Sequence, residues 1–212
     1  MKVNELLIVG CGGQARFVLN LANKSEYKVY GLIDLDKKFN KSEVIMGVPV
    51  VGCLSNINKQ FKEVCNNLCI AIGDNSSRKK EYLLLKEMGF NFPNLIHPSA
   101  VIDPTSIIGL GNVIGPNVVI GAEVKIGDNN IINSCAVIEH QSEIGSHNHI
   151  SLSTIVCGNV IIGNNTFLGA NSTVVETIII PDNTTLGAGG TLLSSPSKSG
   201  LTMVGTPAKE NK

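Results

Sequence analysis

From Ile96 to Leu192 the chain keeps a strict period of six. Ile96, Ile102, Ile108, Ile114, Ile120, Ile126, Ile132, Ile138, Ile144, Ile150, Val156, Ile162, Leu168, Val174, Ile180, Leu186 and Leu192 are all aliphatic, and the register never slips. An amphipathic helix repeats near 3.6 residues and a half-buried strand at 2, so neither explains a six. A hexapeptide period belongs to a parallel β-helix, whose coils are three short strands joined by tight turns. One aliphatic per flat side then points inward and stacks on its counterpart in the next coil. No coil buries its own face alone, so stability comes from stacked neighbours. The residue after the aliphatic is often glycine (Gly109, Gly115, Gly121, Gly127, Gly145, Gly163, Gly169, Gly187). Glycine tolerates φ > 0, so these positions are expected to relieve the corners.

The repeat fills only the second half of the 212 residues, which predicts two domains, 1–95 and 96–212. Charged residues are 16% and the net charge is zero, so nothing suggests nucleic acid or an anionic membrane as partner. The low charge suits a chain that buries surface against copies of itself. The apolar run Leu6 to Val9 is too short for a signal peptide or a membrane span, and a cytoplasmic protein is expected. The six cysteines show neither zinc nor disulfide spacing, and Cys65 and Cys69 are read as reduced and buried.

In the first domain, the apolar strand Glu5–Val9 runs into Gly10-Cys11-Gly12-Gly13, followed by helical spacing from Ala15 to Asn23. A second strand, Lys28 to Ile33, ends on Asp34 and Asp36. Helical spacing returns from Leu54 to Val64, and a third strand, Leu68 to Ile72, stops at Gly73. Ser76 is expected to cap the next helix, which Gly89 ends. Strand, glycine turn, helix, strand and acid begin a Rossmann-type unit. The G-x-G-x-x-G fingerprint lacks its third glycine, which weakens the case for NAD. A nucleotide-linked ligand with phosphates on the helix N-terminus fits better. Asp34 and Asp36 could accept hydrogen bonds from ribose or uracil, and Gly73 ends on the same edge of the sheet.

The repeat breaks its own pattern at Ile132-Asn133 and Ile138-Glu139-His140-Gln141, and His147 and His149 follow. A β-helix has no packing need for titratable groups there, and such departures tend to mark functional sites. His140 should lie between Ala122 and Gly158 of the neighbouring coils. Three roles fit: solvated turn residues, a metal site built from the histidines, and acid–base chemistry. The last is favoured, because an ordinary imidazole is a natural general base at neutral pH. His97, at the boundary, is read as a surface or capping residue.

The Rossmann-like start with Gly-x-Gly-Gly, the unbroken hexapeptides, Asn133-x5-Glu139-His140 and the ending Val204-Gly205-Thr206-Pro207-Ala208-Lys209 together resemble the sialic acid O-acetyltransferase-like (NeuD/PglD-type) sugar acyltransferases. The resemblance covers essentially the whole chain and is strongest to UDP-4-amino-sugar N-acetyltransferases. It implies an α/β plus β protein: a small Rossmann-like domain followed by a left-handed parallel β-helix. It implies acetyl transfer from acetyl-CoA to the amino group of a UDP-linked 4-amino-4,6-dideoxy sugar in a cytoplasmic homotrimer without metal. His140 then matches the general base and Asn133 its partner asparagine, with Glu139 and Gln141 beside them. Gln141 departs from the family, whose closest members carry an acid there. His149, Gly158, Ala170, Ala188 and Lys209 match the acetyl-CoA side, and Gly12, Gly13, Gln14, Asp34, Asp36 and Gly73 the nucleotide-sugar pocket. Three other readings stay open. They are an O-acetyltransferase acting on a sialic acid-like sugar, a non-catalytic nucleotide-sugar-binding trimer, and a metal-dependent hydratase on the same fold.

Overall fold

The computed structural model describes residues 4–35, 42–57 and 59–211. The chain divides into two compact units, Met1–Leu95 and Ile96–Lys212.

The first unit is a five-stranded sheet of β1 (Asn4–Val9), β2 (Tyr27–Asp34), β3 (Val44–Ile45), β4 (Val48–Cys53) and β5 (Leu68–Ile70), in the order β3-β4-β2-β1-β5. The strands β4, β2, β1 and β5 are parallel, and β3 closes an antiparallel hairpin on β4 through Met46-Gly47. Helices α1 (Gly13–Ala22), α2 (Lys59–Val64) and α3 (Asn75–Glu87) connect them. Leu7, Val9, Ile33, Leu68 and Ile70 pack with Tyr82 and Leu85 of α3 and with Phe90 and Phe92. Leu6 and Ile8 alternate to the opposite face, as the period of a strand requires. Each fully buried Leu or Ile is worth roughly 1.5–3 kcal/mol of transfer free energy.

Local details differ from the sequence expectation. Leu54–Asn56 forms a 3-10 turn separate from α2, and β5 stops at Ile70. The N-cap of α3 is Asp74 rather than Ser76: its carboxylate accepts from the Ser77 N–H at 2.8 Å. The acid wins because it sits one residue before the helix, where the free N–H groups converge.

The second unit is the β-helix, with three parallel sheets as its flat sides. Side one holds the strands Val113–Ile114, Ile131–Ile132, His149–Ile150, Phe167–Leu168 and Thr185–Leu186. Side two runs from Val101–Ile102 to Thr191–Leu192, and side three from Ile107–Ile108 to Ile179–Ile180. Register is eighteen residues per coil, so Ile120 stacks between Ile102 and Ile138, and Ile138 under Val156. The inward aliphatics of the central coils are almost wholly buried.

The glycine expectation is corrected. The left-handed corner residues stand three places after the aliphatic and are mostly asparagine or another polar residue: Asn117, Glu123, Asn129, Gln141, His147, Asn159 and Asn165 have φ of 56–64°. Asparagine tolerates this region better than other L-residues. The glycine one place after the aliphatic answers a different need, close approach of the next coil. A Cβ on Gly121 would lie 2.8 Å from the His140 nitrogen, and one on Gly169 only 2.5 Å from that of Ala188.

Candidate active site

In the first unit the chain leaves β1 for β2 on one side and later returns to β5 on the other. The carboxyl ends of β1 and β5 therefore form a topological switch point, where open α/β sheets bind ligands. Gly10 belongs to the packing of this crevice: its φ is 120°, and a Cβ there would stand 2.6 Å from the Ala71 carbonyl oxygen. Gly12 and Gly13 have nothing within 4 Å of an added Cβ, so their surface is open. The N-terminus of α1 has no side-chain cap. Ala15, fully buried, stands at the sixth position of the glycine fingerprint, where a small residue suffices, so the missing third glycine is no argument against a dinucleotide. Arg16 donates to the Cys11 and Gly12 carbonyls at 3.1 and 3.0 Å. Asp34 ends β2 beside the turn. Burial pushes the Cys11 thiol up to about 11, with the Asp34 and Glu43 carboxylates adding to the shift. The buried Nε2 of Gln14 meets no acceptor among the described residues, a cost unless a bound group supplies one. Asp36 lies outside the described residues. Gly73 follows β5, on the edge of the sheet that carries Gly12, Gly13 and Asp34.

In the β-helix the three edges differ in how they treat the outward N–H groups. Between sides three and one, side chains of each coil close the coil below. The Leu110 N–H donates to Asp128 Oδ1, Asp128 N–H to Ser146 Oγ, Ser146 N–H to Asn164 Oδ1 and Asn164 N–H to Asp182 Oδ1, all within 3.0 Å. The buried Asn112, Asn130 and Asn148 form a second ladder behind them. His147 belongs to this edge: it is buried, and its Nδ1 lies 2.9 Å from Asn129 Nδ2. That edge is structural.

The edge between sides two and three is open. Glu139, His140 and Gln141 are exposed there, and no side chain of the described residues hydrogen-bonds them. The His140 ring lies across the next coil: a Cβ on Gly158 would come within 2.6 Å of Cε1 and 2.7 Å of Nε2. Gly158 is thus the floor of the imidazole. Its N–H takes no acceptor among the described residues, because the ladder uses its neighbours, Cys157 to Val174 and Asn159 to the His140 carbonyl. Sequence reasoning missed two further groups here, Cys157 and Glu176, which lie one coil above Glu139 and two coils above His140. Burial raises the Cys157 thiol, and the Glu176 and Glu139 carboxylates raise it further, so both acids stand close to this edge. The signal for Cys157 was the same eighteen-residue step that gives Gly158, and that for Glu176 was one coil more.

Asn133 falls elsewhere, on the edge between sides one and two, where its Oδ1 accepts from the Ser134 N–H at 2.8 Å. Ala170 and Ala188 stack on that edge, the Gly189 N–H donating to the Ala170 carbonyl at 2.8 Å, and the Ala170 and Ala188 N–H groups take no acceptor among the described residues. His149 projects from side one, half-buried and edge-on to Phe167 at 5.2 Å. Lys209 is exposed on the tail strand that pairs with Val204. One chain therefore gathers Glu139, His140, Gln141 and Gly158 on one edge. It gathers Asn133, Ala170 and Ala188 on another, with His149 and Lys209 along side one. His140, His147 and His149 diverge, and no three metal-binding side chains cluster among the described residues.

Residues 5–83 match the model of the PglD N-terminal domain, and residues 93–192 that of the GMPPB C-terminal domain. A variant of GDP-perosamine N-acetyl transferase from Caulobacter crescentus, solved with CoA and GDP-perosamine, is 31% identical. The match covers 99% of this chain and 98% of that one, with a TM-score of 0.93. The chain belongs to the PglD/NeuD-type sugar N-acetyltransferases. The acetyltransferase domain of PglB from Neisseria gonorrhoeae, solved with acetyl coenzyme A, is 28% identical over 98% of this chain and 99% of that one, with a TM-score of 0.87. Membership carries with it the left-handed coil of the family's β-helix, which runs against the usual right-handed crossover. No helix among the described residues is long and apolar enough to cross a membrane.

Proposed function

We propose that this N-acetyltransferase moves acetyl from acetyl-CoA to the amino group of a UDP-linked 4-amino-4,6-dideoxy sugar, with His140 as general base, in a cytoplasmic homotrimer. The observation that carries the reading is the His140 ring seated on Gly158, whose N–H the coil leaves unused. His140 takes a proton from the amine as its nitrogen attacks the thioester carbonyl. The Gly158 N–H faces the oxyanion that forms, a donor already in place in a rigid coil. Collapse breaks the C–S bond, and the thiolate leaves with the proton that His140 held. Gln141 beside the ring is neutral and brings no charge to the imidazolium formed in between. Guanosine is the competing nucleoside, since the Caulobacter relatives hold GDP-perosamine.

The placement of the candidate residues supports a ring of chains, and the family resemblance supplies three as its number. The base sits on one edge and the acetyl-CoA residues Ala170 and Ala188 on another, so a complete site needs the base edge of one chain against the other edge of its neighbour. Side two, between these edges, exposes Val101 and Ile155 for such packing. The test mixes two inactive variants by co-expression, His140→Ala and Ala170→Phe, the second filling the acetyl-CoA edge. Mixed trimers should regain a substantial share of native turnover, because some sites pair the two intact edges. Mixtures as inactive as the separate variants would place the site within one chain.

A further inference from the structure

Among the described residues of the first unit the buried cation is Arg78, 1% exposed on α3. Burial lowers its pKa to about 10, so it remains charged at neutral pH. Its Nη1 donates to the carbonyl oxygens of both Ile72 and Gly73 at 3.0 Å, and its Nη2 to Asn75 Oδ1 at 2.6 Å. Two consecutive carbonyls thus converge on one nitrogen inside the unit. In a trans peptide the C=O and the following N–H point in opposite directions. Turning the Ile72 and Gly73 oxygens inward therefore turns the Gly73 and Asp74 N–H groups outward. Both residues are exposed, and neither N–H has an acceptor among the described residues. A Cβ on Gly73 would meet nothing within 4 Å, so the space before the pair is open. Successive N–H groups aimed the same way in a turn make a concavity for oxygen acceptors. This one lies at the carboxyl end of β5, next to β1 and its glycine turn, on the crevice of the switch point.

We propose that Arg78 is a positioning residue for nucleotide binding: it holds the Gly73 and Asp74 N–H groups outward as a donor pair for an oxygen of the nucleoside diphosphate, either a base carbonyl or a diphosphate oxygen. The inference rests on the nucleotide-sugar reading above. It adds the group that shapes the pocket, which touches no ligand itself.

The decisive comparison is Asp74→Pro against Asp74→Ala in the full-length protein. Both lose the carboxylate cap on Ser77, and only proline deletes the N–H. The φ of −66° at Asp74 is one that proline adopts, so the loop accepts it. Titration calorimetry with UDP, GDP and inorganic pyrophosphate should show Asp74→Pro binding the nucleotide about tenfold more weakly than Asp74→Ala, the loss of one hydrogen bond to a charged or carbonyl oxygen. Equal losses for pyrophosphate assign the pair to the diphosphate, and losses for nucleotides alone assign it to the base. Arg78→Lys keeps the charge but not the fork, and should raise the Michaelis constant for the sugar nucleotide while that for acetyl-CoA stays native. Equal affinity in the proline and alanine variants overturns the proposal, as does native affinity in a folded Arg78→Lys. Failure of the native protein to bind any nucleotide overturns the nucleotide reading itself, and is told apart because it appears before any substitution.

Discussion

Replacing His140 with alanine lowers turnover by about 10²-fold or more while the protein keeps its fold. A positioned general base contributes typically ~10² to 10⁴ in rate, and the amine must lose a proton as it becomes an amide. The imidazole is exposed at an edge and makes no hydrogen bond that the coil needs, so its removal belongs with surface substitutions, usually within about 0.5 kcal/mol of neutral. Steady-state kinetics and thermal unfolding measured together check both halves. Near-native turnover in His140→Ala would remove this residue from the chemistry. An unfolded variant would mean that the edge is structural, like the one holding His147.

Gly158→Ala is expected to cost turnover nearly as much, for a geometric reason. The backbone at Gly158 is outside the left-handed region, so alanine brings no backbone strain. Its Cβ would stand 2.6 Å from His140 Cε1, closer than such atoms approach, and the ring has to swing away. A displacement of about 1 Å at a reacting group costs about 10² in rate. A double-mutant comparison separates the two causes. If alanine acts by moving the ring, it costs little once His140 is already alanine. If it costs the same factor in the His140→Ala background, it acts through the N–H or the local backbone, and the floor beneath the imidazole is not its role.

The β-helix was legible because an inward position recurring every six residues leaves no competing period, and the stacking partners of His140 followed by counting. The cause of the glycines was not legible. The left-handed corners fall to Asn117, Gln141 and their like, whereas Gly121 and Gly169 answer to the backbone of the next coil, a contact that no local pattern encodes. The separation of the candidate residues was equally hidden. Asn133 and His140 are seven residues apart in the sequence, which suggested partners, but the side-two strand between them carries them to different edges. Glu176 is thirty-six residues from His140 and joins its column only through two coils of stacking. Arg78 gave a faint signal, an arginine one helical turn after an Asp-Asn N-terminus. What separates a buried clamp from a solvated charge is whether its neighbours' carbonyls turn inward, and that is a tertiary fact.

Acetyl transfer is read most directly as the release of free CoA thiol from acetyl-CoA in the presence of UDP- and GDP-linked 4-amino sugars and of free nonulosonic acids. The expected result is thiol released in step with N-acetylated sugar nucleotide by the native protein, fastest with a UDP-linked amino sugar, and about 10²-fold slower with His140→Ala. Tight binding of the sugar nucleotides with no thiol released, or release only with a free sugar hydroxyl as acceptor, would contradict it.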